Sequence, residues 1–270
     1  MGAFPEIEIC AILDISHKSA WSLSPVFLLT SMGGFVWCYF YFCRIDPCKA
    51  DTVFSGIVEE IGRLVSKRGD GHSQRLTIGA KSVMQSLSPG DSIAVDGVCL
   101  TVEELNVNDF SAFVSPESLS RTTISLRKVG DPLNLERSLQ PSGRLSGHFV
   151  LGHVDGMGEV AEIKRESGSL RFFFRIPDTL LPFCVEKGSI AIDGISLTIA
   201  SLLEEQGLIS IAVIPYTLDH TTLGVRKKGD RVNVETDIFA KYAMRFLEPY
   251  MHNDKAGLTE DLLRRAGFMS

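Results

Sequence analysis

The feature that most constrains this chain is an internal repeat with a period of about 97 residues. The phrase DGVCLTV (Asp96–Val102) returns 97 positions later as DGISLTI (Asp193–Ile199). SGIVEEIGRL, from Ser55, returns as LGHVDGMGEV, from Leu151, and SPESLSRTTISLRKVGDPLNLE returns as IPYTLDHTTLGVRKKGDRVNVE. This period is too long for a solenoid, whose units have about 20–45 residues. The chain is therefore predicted to contain two domains of one fold.

Each half is predicted to be a small closed β-barrel. SIAV-DG-VCLTV and GSIAI-DG-ISLTI each place two β-rich runs around Asp-Gly, the pair favoured in two-residue hairpins. RFFFRI and LISIAVI are further strands, and strong helical periodicity is scarce before residue 238. About six short strands in about 95 residues are typical of a small barrel.

An amphipathic helix is predicted after the second repeat. In DIFAKYAMRFLEPYM the apolar residues from Ile238 to Tyr250 follow helical spacing, and Pro249 is predicted to mark the end of the helix. This apolar stripe either packs on the chain's own barrel or meets copies of itself in an oligomer. The predicted division of the chain is a leader at 1–52, a first barrel at 53–147, a second barrel at 148–237, and a helix with a tail at 238–270.

The leader differs in composition from the two repeats. Ser19–Cys43 contains no charged side chain, and its apolar run approaches the length of a membrane span, about 20 residues. The acidic residues Glu6, Glu8 and Asp14 fit poorly with a signal peptide or an organelle transit peptide. Three interpretations stay open: a membrane anchor, an atypical targeting segment, or an unstructured or wrongly predicted stretch.

The composition of the chain excludes several classes of protein. A net charge of −6 does not suggest a nucleic-acid binder. Only Cys99 and Cys184, of six cysteines, lie beyond residue 50, and no CxxC pair exists, which disfavours a disulfide scaffold or a zinc site. The protein is predicted to be intracellular, in the cytoplasm or in an organelle such as a plastid.

The repeated heptads carry small polar pairs on one strand face. Strand alternation places Cys99 and Thr101 on the face opposite to Leu100, and Ser196 and Thr198 are their equivalents in the second half. Such a face is either solvated or the edge of a pocket that grips a polar ligand. The exchange of cysteine for serine at equivalent positions favours the pocket.

Two titratable residues break the symmetry of the repeat. His153 stands where the first half has Ile57, and Asp237 stands where it has Ser138. His153 is either a structural residue or a proton carrier near pH 7, whereas Asp237 also suits a helix N-terminus. His153 and His148, five residues apart, do not predict a metal site without carboxylate partners.

These motifs resemble those of the riboflavin synthase family. FSGIVEEIG is similar to the family's opening motif, and DGVCLTV and DGISLTI to its paired strand motifs. SPESL…TT and IPYTLDHTTLG resemble its paired ligand loops, and SGHFVLGHVDG resembles the join between its halves. The resemblance covers residues 53 to about 247, so it leaves out the leader and the last twenty residues.

The resemblance implies an all-β fold, a tandem pair of similar six-stranded Greek-key barrels followed by a C-terminal α-helix. It implies a transferase that dismutates two molecules of 6,7-dimethyl-8-ribityllumazine by four-carbon transfer, giving riboflavin and 5-amino-6-ribitylaminouracil. It implies no metal, no redox cofactor and no nucleic-acid partner. It also implies a homotrimer that associates through the helices, with the active site between the first barrel of one chain and the second barrel of its neighbour.

The resemblance further implies the ligand contacts and the groups that assist proton transfer. Carried over to the first half, the contacts are Gly56, Ile57, Val58, Cys99, Leu100, Thr101, Phe113, Val114, Ser115, Pro116, Glu117 and Ser118. In the second half they are Gly152, His153, Val154, Lys187, Ser196, Leu197, Thr198, Ile214, Pro215, Tyr216, Thr217, Leu218 and Asp219. The catalytic candidates are His153, Ser196 and Asp237, with Cys99 and Thr198 as further polar groups.

Two other functions compete with the enzyme. Relatives of this fold hold lumazine or flavin without turnover, and they lose polar groups of the second half or the pairing of one site. The presence of Cys99, His153, Ser196, Thr198 and Asp237 favours the enzyme. A membrane-anchored interaction protein depends only on the leader.

Overall fold

The structure is a computed structural model, and the residues it describes are 25–32, 35–42, 53–69, 73–251 and 264. They fall into two units, Met1–Asp51 and Thr52–Ser270. In the first unit, β1 (Pro25–Met32) and β2 (Phe35–Phe42) pair antiparallel along their whole length. The rest of the predicted leader lies outside the described residues. Within the described ranges, no helix is long and apolar enough to cross a membrane.

The first repeat forms a closed six-stranded barrel. Its strands are β3 (Glu60–Gly69), β4 (Gln74–Gly79), β5 (Ser92–Val95), β6 (Val98–Leu105), β7 (Asp109–Val114) and β8 (Pro132–Arg137). The order around the barrel is β3-β4-β7-β6-β5-β8, with antiparallel neighbours, which is a Greek-key arrangement. Inward-facing side chains such as Leu64, Ile78, Ile93, Phe110 and Leu135 fill its core.

The second repeat forms a similar barrel with one interrupted strand. Its strands are β9 (Gly156–Glu166), β10 (Ser169–Arg175), β11 (Ser189–Ile192), β12 (Ile195–Thr198), β13 (Ser201–Leu203), β14 (Leu208–Val213) and β15 (Arg231–Thr236). The order is β12-β11-β15-β9-β10-β14-β13. Only Ile199 and Ala200 separate β12 from β13, and the Ala200 N–H donates to Ser210 O at 2.8 Å. Because β12 and β13 together correspond to β6, the predicted pair of six-stranded Greek-key barrels is confirmed.

Three α-helices complete the second unit in its described part. They are α1 (Pro116–Arg121), α2 (Pro215–His220) and α3 (Ile238–Met251). The sequence predicted loops at α1 and α2, but a proline at the first helical position starts each of them. The predicted C-terminal helix is confirmed as α3, although Pro249 does not end it. A proline in the last turn removes only one intrahelical hydrogen bond, so the helix continues to Met251.

The two barrels meet across a short bridge between the segments that precede their first strands. These segments, residues 54–59 in the first half and 150–155 in the second, are here called the leading segments. Phe54 and Val150 exchange backbone hydrogen bonds of 2.7 and 3.1 Å in an isolated antiparallel bridge. Both side chains are buried, and they form a small apolar cluster with Ala94 of β5 and Ala191 of β11. This cluster fixes where each leading segment begins its path toward the hairpins.

Candidate active site

The repeated heptads begin at tight hairpin turns. Asp96 and Gly97 have φ of 46° and 76°, and Asp193 and Gly194 have φ of 47° and 76°. Positive φ at both central residues is the signature of a type I′ turn, which confirms the predicted two-residue hairpins. Each aspartate is fully buried and accepts hydrogen bonds from an asparagine N–H and from an arginine. The position of each hairpin is therefore fixed by charge as well as by packing.

The strands after these turns present the predicted polar pairs on one face. Cys99 is half-buried and Thr101 is exposed, whereas the side chain of Leu100 between them lies in the barrel core. Ser196 and Thr198 show the same alternation in β12. The predicted orientation of both pairs, away from the barrel cores, is confirmed.

Each hairpin strand is partnered by the leading segment of the other half. The Cys99 N–H donates to Gly152 O at 2.9 Å, and the Ser196 N–H donates to Gly56 O at 2.7 Å. A Cβ atom on Gly56 would lie 2.6 Å from the Ser196 Cβ, and one on Gly152 would lie 2.6 Å from the Cys99 Cβ. Glycine is required at both positions, because this approach leaves no room for a side chain and φ is also positive.

Because each leading segment lies against the hairpin strand of the other half, the predicted assignment of ligand contacts to halves changes. Gly56, Ile57 and Val58 were predicted to contact ligand in the first half, yet this segment lies against Ser196, and Val58 packs on the second core. In the same way Val154 packs on the first core. The ligand contacts stay a prediction, and only their grouping by half differs, because the hydrogen bonds that hold these segments run between the two repeats. Local sequence therefore does not reveal which copy a segment pairs with.

Buried glutamates hold the two leading segments in place. The Glu136 carboxylate accepts hydrogen bonds from Ser55 N at 2.7 Å and from Gly56 N at 3.0 Å. The Glu235 carboxylate accepts equivalent bonds from Leu151 N at 2.7 Å and Gly152 N at 3.0 Å. Burial raises the pKa of each glutamate to about 7, although these hydrogen bonds oppose that rise. Neither residue was predicted, since a glutamate in a strand reads as solvent-exposed.

A cavity of about 490 Å³ opens beside Cys99. Its walls combine α1 of the first half with the leading segment of the second, and they are formed by Val98, Cys99, Glu117, Ser118, Arg121, Thr122, Gly152, His153 and Val154. Burial raises the pKa of the Cys99 thiol, and a hydrogen bond with Ser92 opposes this only in part, so the group is protonated at neutral pH. The thiol is therefore suited to donating a hydrogen bond rather than to acting as a thiolate nucleophile.

The equivalent position in the second half carries a serine–histidine pair. Ser196 Oγ lies 2.7 Å from His148 Nδ1. Burial lowers the pKa of His148, and the charge of Asp237 opposes this shift, so the imidazole is neutral at pH 7. His148 Nε2 is buried and has no hydrogen-bond partner among the described residues. Asp237 also caps α3, because its Oδ1 accepts the Phe239 N–H at 2.9 Å.

His148 was not predicted as a site residue. The signal in the sequence was its position five residues before His153. Its hydrogen bond, however, joins residues 48 positions apart, which periodicity does not reveal.

The other predicted contacts divide into exposed and buried side chains. Leu100, Val114 and Leu197 point into the barrel cores, so only their backbone atoms are available to a ligand. The exposed apolar side chains are Ile57, Phe113, Ile214 and Tyr216. Ser115, Pro116, Glu117 and Ser118 form the start of α1, and Pro215, Thr217, Leu218 and Asp219 belong to α2. Lys187 is held beside β12 by the hydrogen bond from its N–H to Ile199 O, at 2.8 Å.

Comparison with known proteins identifies the family. The lumazine binding domain family matches residues 55–138 and 151–237, together more than half of the chain. The riboflavin synthase of Actinobacillus pleuropneumoniae is 42% identical over 217 residues, which cover 80% of this chain and 100% of that protein. The chain belongs to the riboflavin synthase family. It is an enzyme of that family, consistent with the resemblance found in its motifs.

Further members of the riboflavin synthase family and related structures support this assignment. The riboflavin synthase of Bacillus subtilis (strain 168) is 38% identical, covering 80% of this chain and 100% of that protein. The riboflavin synthase of Schizosaccharomyces pombe is 39% identical, covering 74% of this chain and 96% of that protein. The crystal structure of LumP complexed with 6,7-dimethyl-8-(1'-D-ribityl) lumazine superposes with a TM-score of 0.61 at 27% identity, covering 68% of this chain and 98% of that one. LumP complexed with riboflavin gives a TM-score of 0.63 at 27% identity.

Proposed function

We propose that the chain dismutates two molecules of 6,7-dimethyl-8-ribityllumazine, giving riboflavin and 5-amino-6-ribitylaminouracil. One substrate donates a four-carbon unit to the other, so the atoms of two identical molecules are redistributed without an oxidant or a reductant. The observation that carries the proposal is the match to riboflavin synthases over the whole of their length. Two polar sites in equivalent positions, one at Cys99 and one at Ser196, suit a reaction between two copies of one substrate.

The residues around the two sites suggest a division of roles. The reaction needs removal of a proton from the C7 methyl group of one lumazine and addition of a nucleophile at C7 of the other. The neutral His148 imidazole, hydrogen-bonded to Ser196, is suited to accept a proton through the serine hydroxyl. His153, which lines the same cavity as Cys99, is suited to later proton transfers on the bound partner. Thr198 contributes a hydroxyl on the strand face that Ser196 also occupies. Asp237 contributes a charge that acts on His148.

Mutual positioning of the two substrates is expected to contribute most to the rate. Holding two reactants in place removes a bimolecular entropy cost worth about 7–11 kcal/mol in favourable cases. General acid–base assistance typically adds about 10²–10⁴-fold. The leading segments are fixed by the close contacts of Gly56 and Gly152 and by hydrogen bonds to Glu136 and Glu235. These contacts are therefore as relevant to the proposed chemistry as the groups that move protons.

The proposed complete site lies between chains of a homotrimer, the Cys99 site of one chain facing the Ser196 site of its neighbour. The exposed apolar face of α3 supports self-association. Its side chains Phe239, Tyr242, Phe246 and Leu247 are each more than half exposed. Such a contiguous patch is typical of an interface. The proposed partners are thus the lumazine substrate and two further copies of this chain.

The proposed organisation is a leader at 1–52, two lumazine-binding barrels at 53–147 and 148–237, and an assembly helix with a tail at 238–270. The matched family ranges, 55–138 and 151–237, support the two barrel limits. We propose an intracellular location, either cytoplasmic or in an organelle such as a plastid.

The deciding experiment incubates the purified full chain with 6,7-dimethyl-8-ribityllumazine alone and quantifies both products by chromatography. Equal amounts of riboflavin and 5-amino-6-ribitylaminouracil are expected. Tight binding of lumazine without riboflavin formation would identify a pigment-binding protein instead, a function for which the similarity to LumP is the relevant observation. Light scattering on the same sample tests the trimer, and a monomer at working concentration contradicts it.

A further inference from the structure

One short segment carries both histidines of the candidate site. His148 hydrogen-bonds Ser196 in one site, and His153 lines the cavity beside Cys99 in the other. Both residues lie within the eight positions 148–155, here called the histidine segment. Any element that holds this segment therefore affects both sites.

The first turns of α3 contact the histidine segment near each of its ends. At one end, the rings of Phe149 and Phe239 meet edge to face, with centroids 5.7 Å apart. At the other end, Lys241 Nζ lies 2.6 Å from Asp155 Oδ1. The second oxygen of Asp155 accepts the N–H and the hydroxyl of Thr236 at 2.8 and 2.9 Å. Asp155 is thereby tied both to the last residue of β15 and to the helix that follows it.

The Lys241–Asp155 ion pair is shielded from solvent. Its side chains are 26% and 19% exposed, whereas those of Arg245 and Glu248, which pair on the same helix, are 79% and 49% exposed. Exposed pairs contribute about 0–1 kcal/mol and are screened by salt. A partly buried pair with a hydrogen-bonded carboxylate holds its geometry more firmly.

Among the described residues, the first half has no equivalent of this link to the C-terminal helix. Glu59 stands where the second half has Asp155, and it accepts the Arg137 N–H and pairs with the Arg137 side chain. That arginine belongs to β8 of the same barrel. The Lys241 contact is therefore a feature of the second half alone, on the segment that carries the histidines.

We propose that Lys241 is a positioning residue, which acts through Asp155 to hold His153 in the wall of the cavity that Cys99 also lines, and so couples the C-terminal helix to the chemistry. The inference rests on the proposed function. Lys241 itself touches neither the cavity nor Ser196 among the contacts of the described residues. Its effect on the reaction is accordingly indirect.

The test compares Lys241→Met with Arg245→Met in the full chain. Arg245 lies one turn further along α3, and among the described residues its ion pair is with Glu248 of the same helix, so it controls for loss of a cation and of an ion pair. We expect Lys241→Met to lower kcat about tenfold with KM changed less than about twofold, because the lost contact matters for positioning of a proton-transfer group. Arg245→Met is expected to keep the wild-type kcat, and Lys241→Arg to restore most of it.

A second measurement follows His153 directly, without turnover. The imidazole signals of isotope-labelled full chain are recorded by NMR and assigned with His153→Gln. Lys241→Met is expected to shift the His153 signal while leaving that of His220 unchanged. A merely structural role would lower the melting temperature and leave the His153 signal and the kcat of the folded enzyme as in the wild type, and this result would overturn the inference.

The outcomes also separate this inference from the proposed function. If the wild-type chain forms no riboflavin, the proposed function fails and the NMR comparison alone judges the role of Lys241. If the wild type is active, a double-mutant cycle adds a kinetic test. Lys241→Met should cost little further activity in a His153→Gln background, and additive losses contradict an action through His153.

Discussion

His148 is held in the protonation state that a proton acceptor needs. Burial lowers its pKa, so the imidazole is neutral near pH 7, and its Nδ1 lies 2.7 Å from the Ser196 hydroxyl. The first half has the Cys99 thiol at the position of this serine, with a pKa raised by burial. The same backbone geometry therefore presents a relay toward a histidine in one site and a protonated thiol in the other.

Removing the Ser196 hydroxyl should impair the chemistry more than binding. We expect Ser196→Ala to lower kcat about 10²-fold, the lower end of the range for acid–base assistance. Lumazine binding, measured by ligand fluorescence, should weaken only slightly. Ser201→Ala is the control. It removes another hydroxyl of the second barrel, which lies 2.6 Å from Ser210 Oγ and makes no hydrogen bond to His148 among the described contacts. Equal kinetic effects of the two changes would contradict a role for the relay.

The buried Glu235 should make stability depend on pH. Its pKa rises from 4.5 to about 7 on burial, so its stabilising contribution is present below about pH 4.5 and is lost as pH rises through 7. That change amounts to on the order of 3 kcal/mol, since each pKa unit is worth about 1.4 kcal/mol. Glu235→Gln should remove this part of the slope in urea unfolding measured between pH 4.5 and 7.5. Parallel stability curves for the wild type and the variant would rule the interpretation out.

The sequence revealed some of these residues and not others. Cys99, Ser196 and their strand faces follow from a period of two, which is a local property of the chain. His148 and Glu235 depend on contacts with residues 48 and 84 positions away. A buried glutamate is unusual, and only the backbone N–H groups that approach it reveal why this one is tolerated.

At the scale of elements, the approach of a leading segment to a hairpin strand is the most constrained contact. Gly152 has a φ of +74°, and an added Cβ would lie 2.6 Å from the Cys99 Cβ. Gly130 also has a positive φ, +96°, but nothing lies within 4 Å of its missing Cβ. Both positions have a positive φ, which strains any residue other than glycine, but only Gly152 has a close neighbour. Comparing alanine substitutions at the two positions therefore separates the cost of backbone strain from the cost of overpacking.

Gly152→Ala should be much more damaging than Gly130→Ala. Both changes carry a strain cost of about 1 kcal/mol for a non-glycine residue at positive φ. Gly152→Ala adds an overpacking cost of about 1–3 kcal/mol and displaces His153 from the cavity, so its kcat should fall at least about tenfold. Urea unfolding and steady-state kinetics measure the two effects. If both variants keep wild-type activity, the close contact does not matter for the reaction.

The short helices of this fold were harder to predict from the sequence than its hairpin turns. The two hairpins were predicted because Asp-Gly specifies its turn locally. The six-residue helices α1 and α2 were not predicted, because fewer than two turns give no helical period to detect. Each sequence looks like a loop until the proline at its first helical position is considered.

At the scale of the whole molecule, a symmetric polar network joins the two barrels. Asn134 donates to Asp193 O at 2.9 Å, and Asn233 donates to Asp96 O at 2.8 Å. Each asparagine also accepts a threonine N–H from the other half. Because each barrel's hairpin also depends on the other barrel's leading segment, neither site is complete in one half. The repeat made two similar domains predictable, but not this interdependence.

Asn134→Leu should destabilise both barrels together. The change leaves the Asp193 carbonyl and the Thr222 N–H without a buried partner, at an expected cost of about 2–4 kcal/mol in the free energy of unfolding. Asn106→Leu is the matched control, because Asn106 makes its side-chain hydrogen bond to Asp109 in an exposed turn, and its change should cost less than about 1 kcal/mol.

The decisive comparison is whether the barrels of the Asn134→Leu variant unfold in one step, as followed by hydrogen exchange in each half. Because the leading segments cross between the halves, we expect protection in the first and second barrels to fall by the same free energy. Activity should decline with the folded fraction and at both sites at once. A variant in which only the first barrel loses protection would mean that the halves are energetically independent, in spite of their shared sites.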